Sequence, residues 1–308
     1  MRLSFLVNEV AGGWSVWSDM LGGTEEMVVA HAEELAKRGH QVTVYHNTDT
    51  KYGVLNGVTY KPRMQFETGD FCFNIKSSEI KPQGPTVYVT NEYDATSKDL
   101  SAYDAVMWPS QWADDNIPVN NPRRFIVPHG YHKERIYPSE KVPKQCLYAS
   151  SPDRGLDVLL RAWPKVYDAH PDATLIISYG AEEIEYPGIT YVGRLSDEEL
   201  APYYQSSDIW VHPCTGIELF CITGIKAQVA GCVPVIIPAM ALAETVKHGY
   251  FTDDPDSYAD TLIKALDDSS GRELMRQQLA KEYYPDWGEA TDVLEKAMND
   301  ILRSWIFK

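Results

Sequence analysis

Short apolar runs alternate with stretches of helical period along the chain, and the alternation predicts an order of elements. Residues 2–7, RLSFLV, read as a strand, and a glycine-bearing loop follows through residue 23. Val28, Ala32 and Leu35 then recur at i, i+4 and i+7, one face of a helix that Gly39 stops before residues 41–45 resume the strand pattern. This is a βαβ unit. Apolar runs at 70–75, 86–90, 105–109 and 124–127, punctuated by proline and glycine, extend the same sheet.

A second alternation begins with a strand at 145–149. The helix after it places Leu156, Leu159, Leu160, Trp163, Val166 and Tyr167 on one face, the strongest helical pattern in the chain. Strands at 174–179 and 189–192, a helix with Leu200, Tyr203 and Tyr204, and a strand at 209–212 follow. The stretch 216–237 comes next, then a loop around Glu244, the segment 252–257 and a helix over 258–266. A terminal helix at about 289–305 is long enough to return toward the first half. The pattern predicts an α/β fold of two successive domains. They cover 1–143 and 144–288, with the helix of 289–308 crossing back and the basic, proline-bearing segment 137–144 as linker.

Composition agrees with this picture. The chain has 308 residues, 44% hydrophobic and 23% charged, as expected for about two soluble domains. The run 233–243 is broken by Pro234 and Pro238 and is too short to span a bilayer, and the N-terminus turns polar at Asn8 and Glu9 before a signal core is complete. Five cysteines without C-x-x-C spacing indicate neither a disulfide framework nor a zinc knuckle, so a cytoplasmic location is expected. The net charge of −16 argues against polyanion binding. Residues 123–144 depart from that trend, with Arg123, Arg124, Lys133, Arg135, Lys141 and Lys144 against Glu134 and Glu140. They read as a solvated linker face or, alternatively, as a patch facing phosphate or acceptor.

Candidate chemistry concentrates in residues 216–237, GIELFCITGIKAQVAGCVPVII. Ile225 and Val229 mark a helix opening near Ile222, and Gly231 suits the left-handed position after its last turn. Backbone N–H groups of its first turn, around Cys221, Ile222 and Thr223, lack intrahelical partners, so donors and helix dipole together suit an anion. Glu218, just before them, can accept hydrogen bonds from hydroxyls. A sugar nucleotide meets both requirements; the alternative is a plain loop–helix–strand unit with an incidental glutamate. Gly22 and Gly23 open the first helix, where small residues admit a close ligand. The G-x-G-x-x-G fingerprint is absent, which argues against an NAD-dependent dehydrogenase or an isomerase on the same plan. Asp254-Pro255-Asp256 precedes a helix and reads as capping, and His129 and His132 in a loop do not make a metal site.

The chain resembles the retaining glycosyltransferases of the glycogen-synthase-like group (glycosyltransferase family 4), which implies the GT-B fold, α/β with two Rossmann-like domains facing across a cleft. The blocks that carry the resemblance are SSPDRGLDVLLRAWPKV (150–166), PDATLIISYG (171–180), YVGRLSDEEL (191–200), SSDIWVHP (206–213), ELFCITGIKAQVAGCVPVI (218–236) and ALAETVKHG (241–249). Looser matches are GGTEEMVVAHAEELAKRGHQVTVY (22–45), YDAVMWPSQW (103–112) and VPHGY (127–131). The resemblance implies transfer of a hexose-type sugar from a nucleotide-sugar co-substrate to an acceptor hydroxyl, with no cofactor or metal required. It places Glu218 at the first glutamate of an E-x7-E motif, on the donor sugar hydroxyls, and Arg154 at the cation that offsets the leaving diphosphate. Gly22 and Gly23 match the loop near donor phosphates and acceptor, and Glu244 and Thr245 a loop near the donor.

Three positions depart from the family. Its second glutamate, on the nucleotide ribose, falls on Lys226, which cannot accept hydrogen bonds. An arginine expected shortly before Arg154 is replaced by the run Ala149, Ser150, Ser151. The histidine near the sugar falls on Asn91. The first two departures are expected to be linked, with Lys226 supplying a cation toward donor phosphate. The lost glutamate motivates a second reading, a catalytically weak sugar-nucleotide-binding module. The basic segment motivates a third, a transferase acting on a modified nucleic-acid base.

Overall fold

A computed structural model describes residues 1–7, 14–18, 20–47, 51–76, 83–90, 93–179 and 185–306. Two compact units are present, Met1–Gly130 with Pro285–Lys308, and Tyr131–Tyr284.

The first unit contains β1 (Arg2–Val7), α1 (Gly23–Lys37), β2 (Gln41–His46), β3 (Gly53–Leu55), β4 (Val58–Pro62), β5 (Phe71–Ile75), β6 (Thr86–Val89), β7 (Ala105–Trp108), α2 (Gln111–Asn116) and β8 (Arg124–Ile126). The sheet order is β3-β4-β2-β1-β5-β6-β7-β8. Every pair is parallel except β3–β4, and β1 is buried from Leu3 to Val7, as a central parallel strand requires. Between β3 and β4, Asn56 (φ 49°) and Gly57 (φ 82°) form the two-residue turn with both central residues left-handed that closes a tight hairpin.

The second unit runs β9 (Val142–Ala149), α3 (Leu156–Ala169), β10 (Thr174–Ser178), β11 (Ile189–Gly193), α4 (Asp197–Ser206), β12 (Ser207–His212), α5 (Ile222–Ala230), β13 (Val233–Ile236), α6 (Leu242–Thr245), β14 (Tyr250–Phe251), α7 (Tyr258–Asp267) and α8 (Ser269–Leu279). Its strands are all parallel, in the order β11-β10-β9-β12-β13-β14. The chain leaves β9 in one direction and restarts at β12 in the other. The carboxyl ends of β9 and β12 therefore flank a topological switch point, where open α/β sheets bind ligands. Leu156, Leu159, Trp163 and Val166 of α3 are buried on the sheet, as their spacing predicts.

The chain then rejoins the first unit as α9 (Trp287–Ile306). Asp286 and Glu289 cap its start reciprocally, each side chain accepting the other's backbone N–H at 2.9 Å. Arg38, just after α1, holds α9 through Glu295 and the Gly288 carbonyl, both at 2.8 Å.

The expected division at 143/144 is corrected to 130/131. Ile136 is buried with Leu147 and Trp210, and Lys141 Nζ donates to the carbonyls of Tyr204, Gln205 and Ala230, so 137–144 is anchored to the second unit rather than linking two.

Candidate active site

At the β9/β12 switch point, Ser150 follows β9 and His212 ends β12. Ser150 Oγ lies 3.4 Å from His212 Nδ1 and 3.2 Å from Thr223 Oγ1 in the first turn of α5. The imidazole lies between Trp210 (4.8 Å, 15°) and Tyr148 (6.4 Å, 23°), both stacked on it, and is fully buried. Burial, and then the charge of Arg154, lowers its pKa to about 3, so it is neutral. Tyr148 in turn donates to the carbonyl of Ser151 at 2.7 Å and fixes the loop that carries Arg154.

Glu218 Oε2 lies 3.9 Å from Arg154 Nε and 3.9 Å from His212 Nε2. The Phe220 N–H approaches Oε1 at 3.5 Å, and the backbone of Cys221 also bonds this carboxylate. Burial raises the Glu218 pKa, against the opposing pull of Arg154 and those donors. Cys221 precedes α5 in the left-handed region (φ 72°), unusual for a residue with a side chain. Its Sγ lies 3.3 Å from Thr223 Oγ1 and 3.8 Å from His212 Nε2. The site thus joins a hydroxyl-accepting carboxylate, a guanidinium and a helix start.

Of the residues singled out in the sequence, Arg154, Glu218, Cys221 and Thr223 are in contact here, with Ile222 buried beside them. Glu244 is exposed on α6, whose segment is tied to the site by the Ala241 N–H donating to the Glu218 carbonyl at 3.1 Å. Thr245 is buried, with its hydroxyl donating to the Ala241 carbonyl at 3.1 Å. Gly22 and Gly23 lie in the first unit at the start of α1. The Glu25 carboxylate lies beside Gly22, 2.5 Å from where a Cβ would stand. Asn91 lies outside the described residues.

Lys226 is buried, and its ammonium pairs with Asp197 in the first turn of α4, which also faces Arg135 NH1 at 3.5 Å. Its charge therefore has a partner within the fold. Cations of the segment 123–144 are partnered as well. Arg124 pairs with Asp114, Arg135 with Asp197 and Lys144 with Asp172, while Arg123 donates to Ser304 and Lys141 to three carbonyls. Asp254 accepts from Asp256 N–H and Ser257 Oγ, as capping predicts.

Sequence reasoning missed His212 and Ser150 as site members. The signal available was positional, because both stand where a strand's apolar run ends and its ligand-facing loop begins.

The family model described as Glycosyl transferases group 1 matches residues 144–268, which contain the whole β9/β12 site. Solved structures match over nearly the full chain. A sucrose-phosphate synthase from Thermosynechococcus elongatus superposes with a TM-score of 0.70 at 14% identity, covering 99% of this chain and 100% of that one. Anabaena HepE in complex with UDP and glucose gives 0.73 at 13% identity, over 97% and 99%. This chain has the GT-B fold.

Within that fold the sequence likeness is confined to one part. A phosphatidyl-myo-inositol mannosyltransferase of Propionibacterium freudenreichii is 28% identical over 125 residues, 41% of this GT-B chain and 32% of the relative. Its counterpart in Mycobacterium tuberculosis is 30% identical over 139 residues, 40% and 37% of the two chains. The alignments span about a third of the length of these curated relatives. Among the described residues no helix is long and apolar enough to cross a membrane.

Proposed function

We propose that this GT-B protein transfers a hexose-type sugar from a nucleotide-sugar donor to an acceptor hydroxyl with retention of configuration. The observation that carries the reading is the Glu218–Arg154 pair, 3.9 Å apart at the start of α5. Glu218 accepts hydrogen bonds from donor-sugar hydroxyls, and Arg154 with the N–H groups of α5 offsets charge on the departing diphosphate. The glycosyl–phosphate bond breaks as the acceptor oxygen bonds the same carbon on the same face, and the acceptor proton passes to the leaving phosphate. That route asks for no protein base, which suits His212, neutral with a pKa of about 3. The UDP and glucose bound to HepE support a nucleotide sugar as the donor class.

A charge-assisted hydrogen bond is worth about 1.5–3 kcal/mol, or roughly 10- to 150-fold. Nucleotide sugars should therefore stabilise the wild type thermally and be hydrolysed or transferred, with Glu218→Gln and Arg154→Ala each reducing turnover by that factor. Stabilisation without turnover on any acceptor would favour a sugar-nucleotide-binding module. Neither stabilisation nor turnover with any donor would overturn the proposal.

A further inference from the structure

We infer that His212, Glu218 and Cys221 form a binding site for a thiophilic divalent metal ion of the zinc class, and that this ion competes with the sugar donor for Glu218. The three ligand atoms, Nε2, Oε2 and Sγ, lie within 4.8 Å of one another. Nε2 is 3.8 Å from Sγ and 3.9 Å from Oε2. With zinc–ligand bonds of about 2.0–2.3 Å, tetrahedral angles separate such donors by about 3.4–3.6 Å. The two spacings from the imidazole thus come within about half an ångström of that geometry, and the thiol–carboxylate spacing stays within 4.8 Å. Imidazole nitrogen, thiolate and carboxylate together are a borderline-soft set, and three protein ligands leave a fourth position for water.

The surroundings hold these ligands as metal sites require. Ser150 Oγ sits at His212 Nδ1 and the two stacked aromatic rings fix the imidazole plane, so Nε2 is aimed at the thiol and carboxylate. Thr223 Oγ1, 3.3 Å from Sγ, can donate to a thiolate. On binding, the Cys221 S–H bond breaks, the sulfur–metal bond forms and one proton leaves to solvent; no oxidation is involved. Thiolate and carboxylate balance the divalent charge. Arg154, near Glu218, opposes the ion and limits its affinity.

The test uses the full-length reduced protein with Co2+ as spectroscopic probe and Zn2+ as competitor. The expected result is one Co2+ per chain with a thiolate-to-cobalt charge-transfer band that Zn2+ abolishes and Mg2+ leaves intact. Cys221→Gly should remove the band, and His212→Gln should weaken binding by at least about tenfold. Cys221→Gly suits the left-handed backbone at φ 72°, and circular dichroism checks its fold. Absence of the band in folded wild type, or its survival in Cys221→Gly, would overturn the site. The competition rests on the proposed role of Glu218 and is read separately, as a loss of nucleotide-sugar binding when Zn2+ saturates the wild type. A normal cobalt spectrum with unchanged donor binding would reject the competition and leave the metal site standing. Failure of the spectrum alone would leave the transferase reading standing.

Discussion

At Gly155 the backbone adopts φ 91°, and an added Cβ would stand 2.1 Å from the carbonyl oxygen of Pro213. Two costs coincide there. A left-handed residue with a side chain costs about 1–2 kcal/mol, and backbone must also move to clear the overlap. At Gly193, φ 72°, nothing lies within 4 Å of the same atom, so only the first cost applies. Gly155→Ala should therefore destabilise by about 3 kcal/mol or more and Gly193→Ala by about 1–2 kcal/mol. Urea unfolding with unchanged slope measures both. Equal losses would show that the approach of α3 to β12 is not what Gly155 protects. These residues also mark what the sequence discloses at this scale. Glu218 is legible as a carboxylate set just before a helix start, and Arg154 through the family resemblance. His212 is not, since its role depends on Tyr148 and Ser150, brought in from the neighbouring strand and the loop after it.

The same limit acts on whole elements. The central strands of both sheets and helices α1, α3, α7 and α9 announce themselves because each buries an apolar run or stripe. Helix α8 does not, because its buried residues are Arg272 and Leu279. Arg272 reaches Asp208 at 3.2 Å and the Leu266 carbonyl at 2.9 Å, and Arg276 also pairs with Asp208, so charge replaces the apolar stripe. In the β3–β4 hairpin β3 is largely exposed and β4 alternates buried Val58 and Tyr60 with polar residues, too short a pattern to stand out, although its Asn-Gly turn is the strongest hairpin signal in the chain. The Lys226–Asp197 pair fastens α5 to α4 in a like manner. Burial opposes the Asp197 charge, but Lys226 outweighs it and holds the carboxyl pKa below its usual value. Asp197→Ala should cost about 3–5 kcal/mol because it removes the carboxylate that faces a buried ammonium, and Lys226→Met should recover part of that loss in the double variant. A double-mutant cycle in urea gives the coupling. Strict additivity would mean that the two side chains do not depend on each other.

For the whole molecule, acid is where opposing effects separate. The net charge of −16 makes surface repulsion fall as pH drops toward the isoelectric point near 4.9, which by itself would raise stability. Four buried histidines act in the opposite direction. Burial lowers the pKa of His31, His129 and His212 to about 3 and that of His46 to about 4. His31 is held by Thr291, whose hydroxyl donates to the Trp287 carbonyl and so accepts from the imidazole N–H at 2.8 Å; that bond fixes the neutral tautomer. In the unfolded chain all four bind protons near pH 6.5. Their contribution is complete above that value and is lost as pH falls toward the folded pKa, at about 1.4 kcal/mol per pH unit for each. Against a typical domain stability of about 5–15 kcal/mol, four such groups exhaust the fold within about one to three pH units. The urea midpoint should therefore fall steadily from pH 7 to pH 5, and His129→Leu should flatten the slope by about one histidine's share. A midpoint that rises toward pH 5 would mean that relief of surface charge outweighs the buried imidazoles.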